Sequence, residues 1–407
     1  MENEKILINM FKKIGPGVLV AAAFVGPGTI TVCTLAGVRF GYTLIWAVLL
    51  SILATMILQE MAGRIGVVSQ NGLVDVIKDE LKVKWIKNTI IGIVLGAILI
   101  GNAAYEAGNI GGATLGLEGL FGQKGLASFY PLIIGGFAFL LLWFSSYKTL
   151  EKIFVGLVGV MGICFVVSAI LTKPSISEIV KGTFVPGLPE DSLLMVIALV
   201  GTTVVPYNLF LHASLAKEKW KSKNELKAVK WDTIISIALG GLVSIAILIT
   251  ASAAPLQDVS NVMDMAKGLE PLFGKSAIYF MGVGLLAAGI TSAITAPLAA
   301  AFVASSCFGW DEGMGNKKFK LIWSLVLFFG VFFLSFDITP IQIIQFAQIA
   351  NGILLPVMAI LLLWIVNKKS IMGNHKNSLI QNVLGFIIVG FAIFLGTKSI
   401  LKVIGLF

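Results

Sequence analysis

Charge is scarce in this sequence. Asp, Glu, Lys and Arg make up 13% of its 407 residues, against 57% hydrophobic. A soluble domain carries about 25% charge, so a water-facing globular surface is excluded. With a mean hydropathy of +0.96, the chain reads as an integral membrane protein. Cysteine is nearly absent. Cys33, Cys164 and Cys307 all fall in apolar segments, which argues against a disulfide framework or a metal cluster and for small buried hydrophobes. No phosphate loop, nucleophile–base pair or paired intramembrane carboxylates occur, so neither an enzyme nor a cofactor is expected. No signal-peptide cleavage pattern precedes the first apolar span. The net charge of +9 could suggest nucleic acid. The lysines, however, sit in short connections between apolar runs, where they report topology instead. The expected surroundings are a lipid bilayer, with no nucleic-acid partner.

Eleven spans are expected, at about 14–38, 42–66, 88–114, 129–147, 151–171, 191–215, 231–254, 276–306, 320–336, 340–366 and 379–404. Each approaches or exceeds the ~17–25 residues that a crossing helix needs. If the N-terminus is inside, the inner connections hold 22 of the 30 Lys and Arg residues and the outer ones 8. That asymmetry predicts a multi-pass plasma-membrane protein with a cytoplasmic N-terminus and an external C-terminus. The lysine run from Lys217 to Lys230 is then a cytoplasmic loop, open to non-specific contact with anionic lipid.

Two spans are interrupted. Ala21-Ala22-Ala23-Phe24-Val25-Gly26-Pro27-Gly28-Thr29-Ile30-Thr31 lies within the first. Pro27 has no N–H and its ring clashes with the preceding turn, and glycine leaves helical angles cheaply. Gly201-Thr202-Thr203-Val204-Val205-Pro206-Tyr207-Asn208 does the same in the sixth. One such break could be a plain proline kink. Two breaks five helices apart fit an inverted repeat, whose interrupted helices meet near mid-membrane to form a substrate site. The expectation is one transmembrane domain over 1–407, with repeats at about 14–171 and 191–366 and an extra helix at 379–404.

Several motifs resemble the Nramp family of divalent-metal transporters over spans one to ten. They are Gly15-Pro16-Gly17 with Gly26-Pro27-Gly28-Thr29, then Leu58-Gln59-Glu60-Met61-Ala62-Gly63-Arg64 and Val205-Pro206-Tyr207-Asn208-Leu209-Phe210-Leu211-His212. Gly284-Leu285-Leu286-Ala287-Ala288-Gly289 and Ala347-Gln348-Ile349-Ala350-Asn351-Gly352 complete the set. The resemblance implies an all-α, LeuT-like fold with helices one and six unwound at mid-membrane. It also implies secondary transport, with a monomer sufficient. In that family, metal is held by an Asp and an Asn of the first break and a Met of the sixth. Gly26, Thr29 and Val205 occupy those positions here.

The edited positions remove the anionic and thioether ligands, so no side-chain metal site is expected. A desolvated divalent ion would lack charge compensation. Half-helix N-termini at Gly28–Ile30 favour an anion. The small residues Ala23, Gly26 and Val205 suggest room for more than an ion. Gly28, Thr29, Asn102, Tyr105, Thr202, Tyr207, Asn208 and Gln348 are the further candidates for lining the site. The preferred cargo on these grounds is a small polar or zwitterionic organic solute. The alternatives are a divalent cation held by carbonyls, amides and water, and a non-transporting scaffold.

Coupling by H⁺ or Na⁺ has its own candidates. Glu106 is an intramembrane carboxylate, costly and commonly functional, although it could be a structural partner. It stands one residue from the family's acidic position, which turns it ~100° around the helix. His212 could carry protons near neutral pH or be a hydrogen-bonded structural residue. Tyr207 takes the place of the family's other histidine and titrates near ~10. Thr291, Ser292 and Thr295 could join first-span carbonyls around Na⁺, or simply pack helices. Glu60 and Arg64, four apart, read as a structural pair.

Overall fold

The computed structural model describes residues 15–403, apart from 123–125, 146, 254–263, 265, 267–272, 312 and 337–338. The expected outer ends of the first and last spans, Lys5, Lys12, Lys13, Lys124 and Lys267 lie outside the described residues. The architecture is all-helical. A helix or a broken helix pair stands at each position where the hydropathy places a span.

The first span is α1 (Pro16–Phe24) and α2 (Pro27–Phe40). A 3₁₀ turn leads into α3 (Ile45–Ser69), followed by the short α4 (Leu73–Glu80) and the long α5 (Lys84–Phe121). Next come α6 (Tyr130–Phe144), α7 (Tyr147–Leu171) and α8 (Ile176–Phe184). The sixth span is α9 (Leu193–Thr203) and α10 (Pro206–Lys219). Then follow α11 (Leu226–Ser252), α12 (Ala277–Phe308), α13 (Lys317–Phe333), α14 (Pro340–Val366) and α15 (Leu379–Val403).

Eleven crossings are not established by this arrangement. Among the described residues, eight helices are long and apolar enough to cross a membrane, or nine if the pair at Gly159–Leu171 and Ile176–Phe184, bent by 116°, counts as one. The shortfall has simple causes. The half-helix α1 is nine residues long, α2 runs almost directly into α3, and α13 has 17 residues.

Small residues draw the scaffold together. On α5, Gly116 lies against Gly282 and Leu286 of α12, where a Cβ would stand 2.7 Å from the Gly282 carbonyl oxygen. Gly289 of α12 meets Ala113 in return. Close backbone approach of this kind drives helix association where no hydrophobic effect operates. One turn along, Gly112 receives the Pro27 ring. The tightest seam of the scaffold therefore ends against the first helix break and fixes its depth.

Candidate functional site

Both breaks are present and have the same local cause. Pro27 cannot donate to Ala23 and Pro206 cannot donate to Thr202, so each helix stops and a new one begins at the proline. Val25 and Gly26 connect α1 to α2, and Val204 and Val205 connect α9 to α10. Gly26 sits at φ −97°, ψ −173°, and Val205 at φ −76°, ψ 119°. Any residue adopts these extended angles. Backbone freedom is therefore not what Gly26 provides, which corrects the sequence reading. It provides space, because a Cβ there would collide with the Ser292 hydroxyl.

The freed carbonyls find hydroxyl groups. Thr29 Oγ1 donates to the Phe24 carbonyl across the first break and lies 2.8 Å from Thr202 Oγ1 across to the second. Thr55 Oγ1 of α3, which donates to Ser51 O of its own helix at 2.7 Å, lies 3.2 Å from Thr203 O. The Ala22 carbonyl faces Thr291 and Ser292 at 3.5 Å each, and Ala23 O faces Ser292 at 3.5 Å. Thr291 already donates to Ala288 O at 2.9 Å, and a hydroxyl has one proton. Its oxygen therefore turns lone pairs toward Ala22. Thr295 donates to Ser292 O at 3.2 Å, within its own helix.

Around this junction several buried polar atoms have no hydrogen-bond partner. They are the Tyr105 and Tyr207 hydroxyls, both amide atoms of Asn208, Gln348 Oε1 and Asn351 Nδ2. Tyr105 and Tyr207 meet edge to face, with centroids 5.5 Å apart. Gln348 fills the side of Gly28, where a Cβ would collide with its amide. Each unpaired buried group costs about 1–3 kcal/mol. Packing leaves these groups on five residues unsatisfied. Asn351 was quoted in the sequence only as part of a motif. Its signal was its position three residues after Gln348 on one face of α14.

Other candidates point elsewhere. Asn102 donates to the Ala296 carbonyl at 2.8 Å and so braces α5 against α12. Glu106 is fully buried, with Oε2 accepting from Asn109 at 3.1 Å and Oε1 unpartnered. Its side chain presses on Gly330 of α13, where a Cβ would lie 2.5 Å from Glu106 Cγ. It stands about 100° around α5 from Tyr105, its chain neighbour in the tyrosine pair. His212, one turn after Asn208 on α10, is held between Gln59 (3.1 Å) and Thr233 (3.5 Å). Arg64 pairs with Glu60 at 3.0 Å and also reaches His375 O and Asn377 Oδ1, at 2.6 and 2.7 Å. It thereby ties α3 to the turn before α15. Among the described residues, no three His, Cys, Asp or Glu side chains converge as a metal site.

The room expected beside Gly26 and Gly28 is filled by Ser292 and Gln348. Ala23, Thr29, Thr202 and Val205 are fully buried.

The model of the Natural resistance-associated macrophage protein-like family, Nramp, matches residues 17–402. The chain belongs to the Nramp family. Its members are membrane transporters and not enzymes. Among similar proteins is the divalent metal cation transporter MntH of Verminephrobacter eiseniae, 27% identical, with 89% of this chain and 83% of that protein covered. The MntH of Klebsiella pneumoniae is 26% identical over 93% and 91% of the two chains. The manganese transporter of Eremococcus coleocola superposes with a TM-score of 0.82 at 20% identity, covering 98% of this chain and 89% of that one. Mhp1, a nucleobase-cation-symport-1 family transporter, gives 0.61 at 15% identity, over 97% and 94%. The fold of this Nramp protein is LeuT-like, with α1, α2, α9 and α10 meeting at the two breaks.

Proposed function

We propose that this chain is a secondary transporter working by alternating access, with a divalent metal cation as cargo at the paired breaks. The observation that carries the reading is the set of unpartnered atoms on Tyr105, Tyr207, Asn208 and Gln348 beside carbonyls freed by two prolines. Oxygen donors suit a hard cation. Because none of them is charged, the ion keeps part of its water shell and binds weakly. Mg²⁺, which dehydrates reluctantly, fits a neutral site better than a soft metal does. The similarity to MntH proteins supports the same cargo class.

The filled sides of Gly26 and Gly28 weigh against the organic solute that the edited motif suggested. One observation still favours it. Asn208 leaves a donor as well as an acceptor unpaired, and a bare cation uses acceptors only. Purified protein in liposomes separates the two readings. Saturable Mg²⁺ or Mn²⁺ uptake is expected, with no thermal shift from a panel of amino acids and small carboxylates. Solute-induced stabilisation without any divalent uptake would establish the second reading instead.

The two halves, about 14–171 and 191–366, act in this proposal as inverted repeats of one domain, with a monomer as the working unit. The lysine asymmetry supports a plasma-membrane protein with its N-terminus in the cytoplasm. Coupling has two supported sites. Glu106, buried with one carboxylate oxygen unpartnered, is the candidate for carrying a proton. The Ala22, Ala23, Thr291 and Ser292 oxygens suit a Na⁺-sized ion: neighbouring ligands of an octahedral ion lie about 3.4 Å apart when metal–oxygen bonds are about 2.4 Å.

A further inference from the structure

The turn between α14 and α15 carries Lys368 to the mouth of a groove that the helix breaks do not use. The two helices touch at Leu363 and Gly385, where a Cβ on the glycine would lie 2.9 Å from the leucine side chain. Leu363 forms the floor, and beside it the helices leave about 510 Å³. The polarity of this groove is graded. Ile360, Phe386 and Val389 line its apolar part, within the membrane-spanning stretches of α14 and α15. Trp364, Asn367, Lys368 and Asn382 line the end at which the two helices are joined. Ile360 is 47% exposed and Phe386 66%, so the apolar part opens sideways, toward hydrocarbon.

The polar end is held in place by its own bonds. Asn367 Nδ2 donates to Asn382 Oδ1 at 2.7 Å and to Leu363 O at 2.9 Å, and Asn382 Nδ2 donates back to Asn367 Oδ1 at 2.9 Å. That reciprocal pair fixes both amides and uses one of the two N–H groups of Asn382. Lys368 Nζ lies 4.8 Å from the centroid of the Trp364 ring and 3.6 Å from Glu80 Oε1 of α4. Glu80 is shared with Ser370, whose Oγ lies 3.2 and 3.0 Å from its two oxygens. An ammonium has three donors, so Lys368 has capacity for a further anion. A tryptophan at the mouth suits the headgroup level, where its amphipathic ring settles. The wider groove between α5, α13 and α14, about 990 Å³, has no charged side chain among its described lining residues. It can take an apolar chain but has nothing to choose a head group.

We propose that the α14–α15 groove is a binding site for one anionic phospholipid, with its phosphate on Lys368 and Asn382 and an acyl chain along Ile360, Phe386 and Val389. Charge complementarity selects this occupant. Basic pockets between membrane helices take up acidic head groups, and lysine is a point-charge ligand for phosphate. The apolar length of the groove calls for a chain attached to that phosphate. A lipid seated here ties α15, the helix beyond the two repeats, to the body of the protein. The inference goes beyond the transport reading and holds whatever the cargo is.

The full chain in detergent is titrated with phosphatidylglycerol and with phosphatidylcholine of the same acyl chains, and bound lipid is counted by native mass spectrometry. One phosphatidylglycerol per chain is expected, about tenfold or more tighter than phosphatidylcholine. Lys368→Gln should weaken phosphatidylglycerol about tenfold, as loss of one charge-assisted contact does, and leave phosphatidylcholine unchanged. Glu80→Gln removes the competing carboxylate and should tighten phosphatidylglycerol. Ile360→Trp fills the seat of the chain from an exposed position and should weaken both lipids. Equal affinity for the two lipids overturns the proposal, as does an equal loss on Lys369→Gln, a change to the exposed neighbouring lysine. Displacement of phosphatidylglycerol by glycerol 3-phosphate overturns it too, because the site is then one for a small anion. Should Lys368→Gln fail to fold, unchanged phosphatidylglycerol binding by Ile360→Trp decides against the groove. Failure of divalent uptake in liposomes leaves this result standing.

Discussion

Replacing Thr29 by Val tests the central junction with one atom. Valine keeps the shape and the branched Cβ, so packing of a fully buried side chain is preserved while the hydroxyl is lost. In the structure that hydroxyl donates to the Phe24 carbonyl and lies 2.8 Å from Thr202 Oγ1. Removing it leaves a buried carbonyl without its donor, at about 1–3 kcal/mol. Thr202 loses less, because a helical threonine can turn back to a carbonyl of its own helix, as Thr203 does to Leu199 at 2.9 Å. The expected cost is about 2 kcal/mol, close to thirtyfold in the population of the joined arrangement. Uptake into proteoliposomes should fall at least tenfold, while the protein still purifies as a monodisperse peak. Thr29→Ser retains the hydroxyl and should stay within about threefold of the parent. A Val variant that transports normally, or a Ser variant as impaired as Val, would refute the bridging role.

Gly330→Ala should destabilise by about 1–3 kcal/mol through overpacking, because its Cβ meets Glu106 Cγ at 2.5 Å and the Glu106 backbone carbon at 3.1 Å; thermal unfolding in detergent reads this. Arg64→Lys keeps the charge but loses the two-nitrogen grip on Glu60 and the reach to His375 and Asn377. Proteolysis near residues 373–378 should quicken about tenfold or more, and an unchanged cleavage rate would show that α15 is held by other contacts. Glu106→Gln should leave binding intact and abolish any acceleration of uptake by an imposed proton gradient, measured with a pH jump across the liposome membrane. If the gradient still accelerates that variant, protons travel elsewhere.

Hydropathy and two prolines were enough to place the long apolar helices and both interruptions, because these are properties of the local chain: an apolar run must close its own hydrogen bonds in lipid, and proline cannot. The short helices α4 and α8 fell outside the expected spans. Which atoms occupy the sides of Gly26 and Gly28 was not legible. Ser292 and Gln348 come from helices hundreds of residues away, and a glycine signals equally well a cavity or a close contact. The use of Asn102 against Ala296 was hidden for the same reason. A side chain's hydrogen-bond partner depends on the register between two helices, and only their packing sets that register.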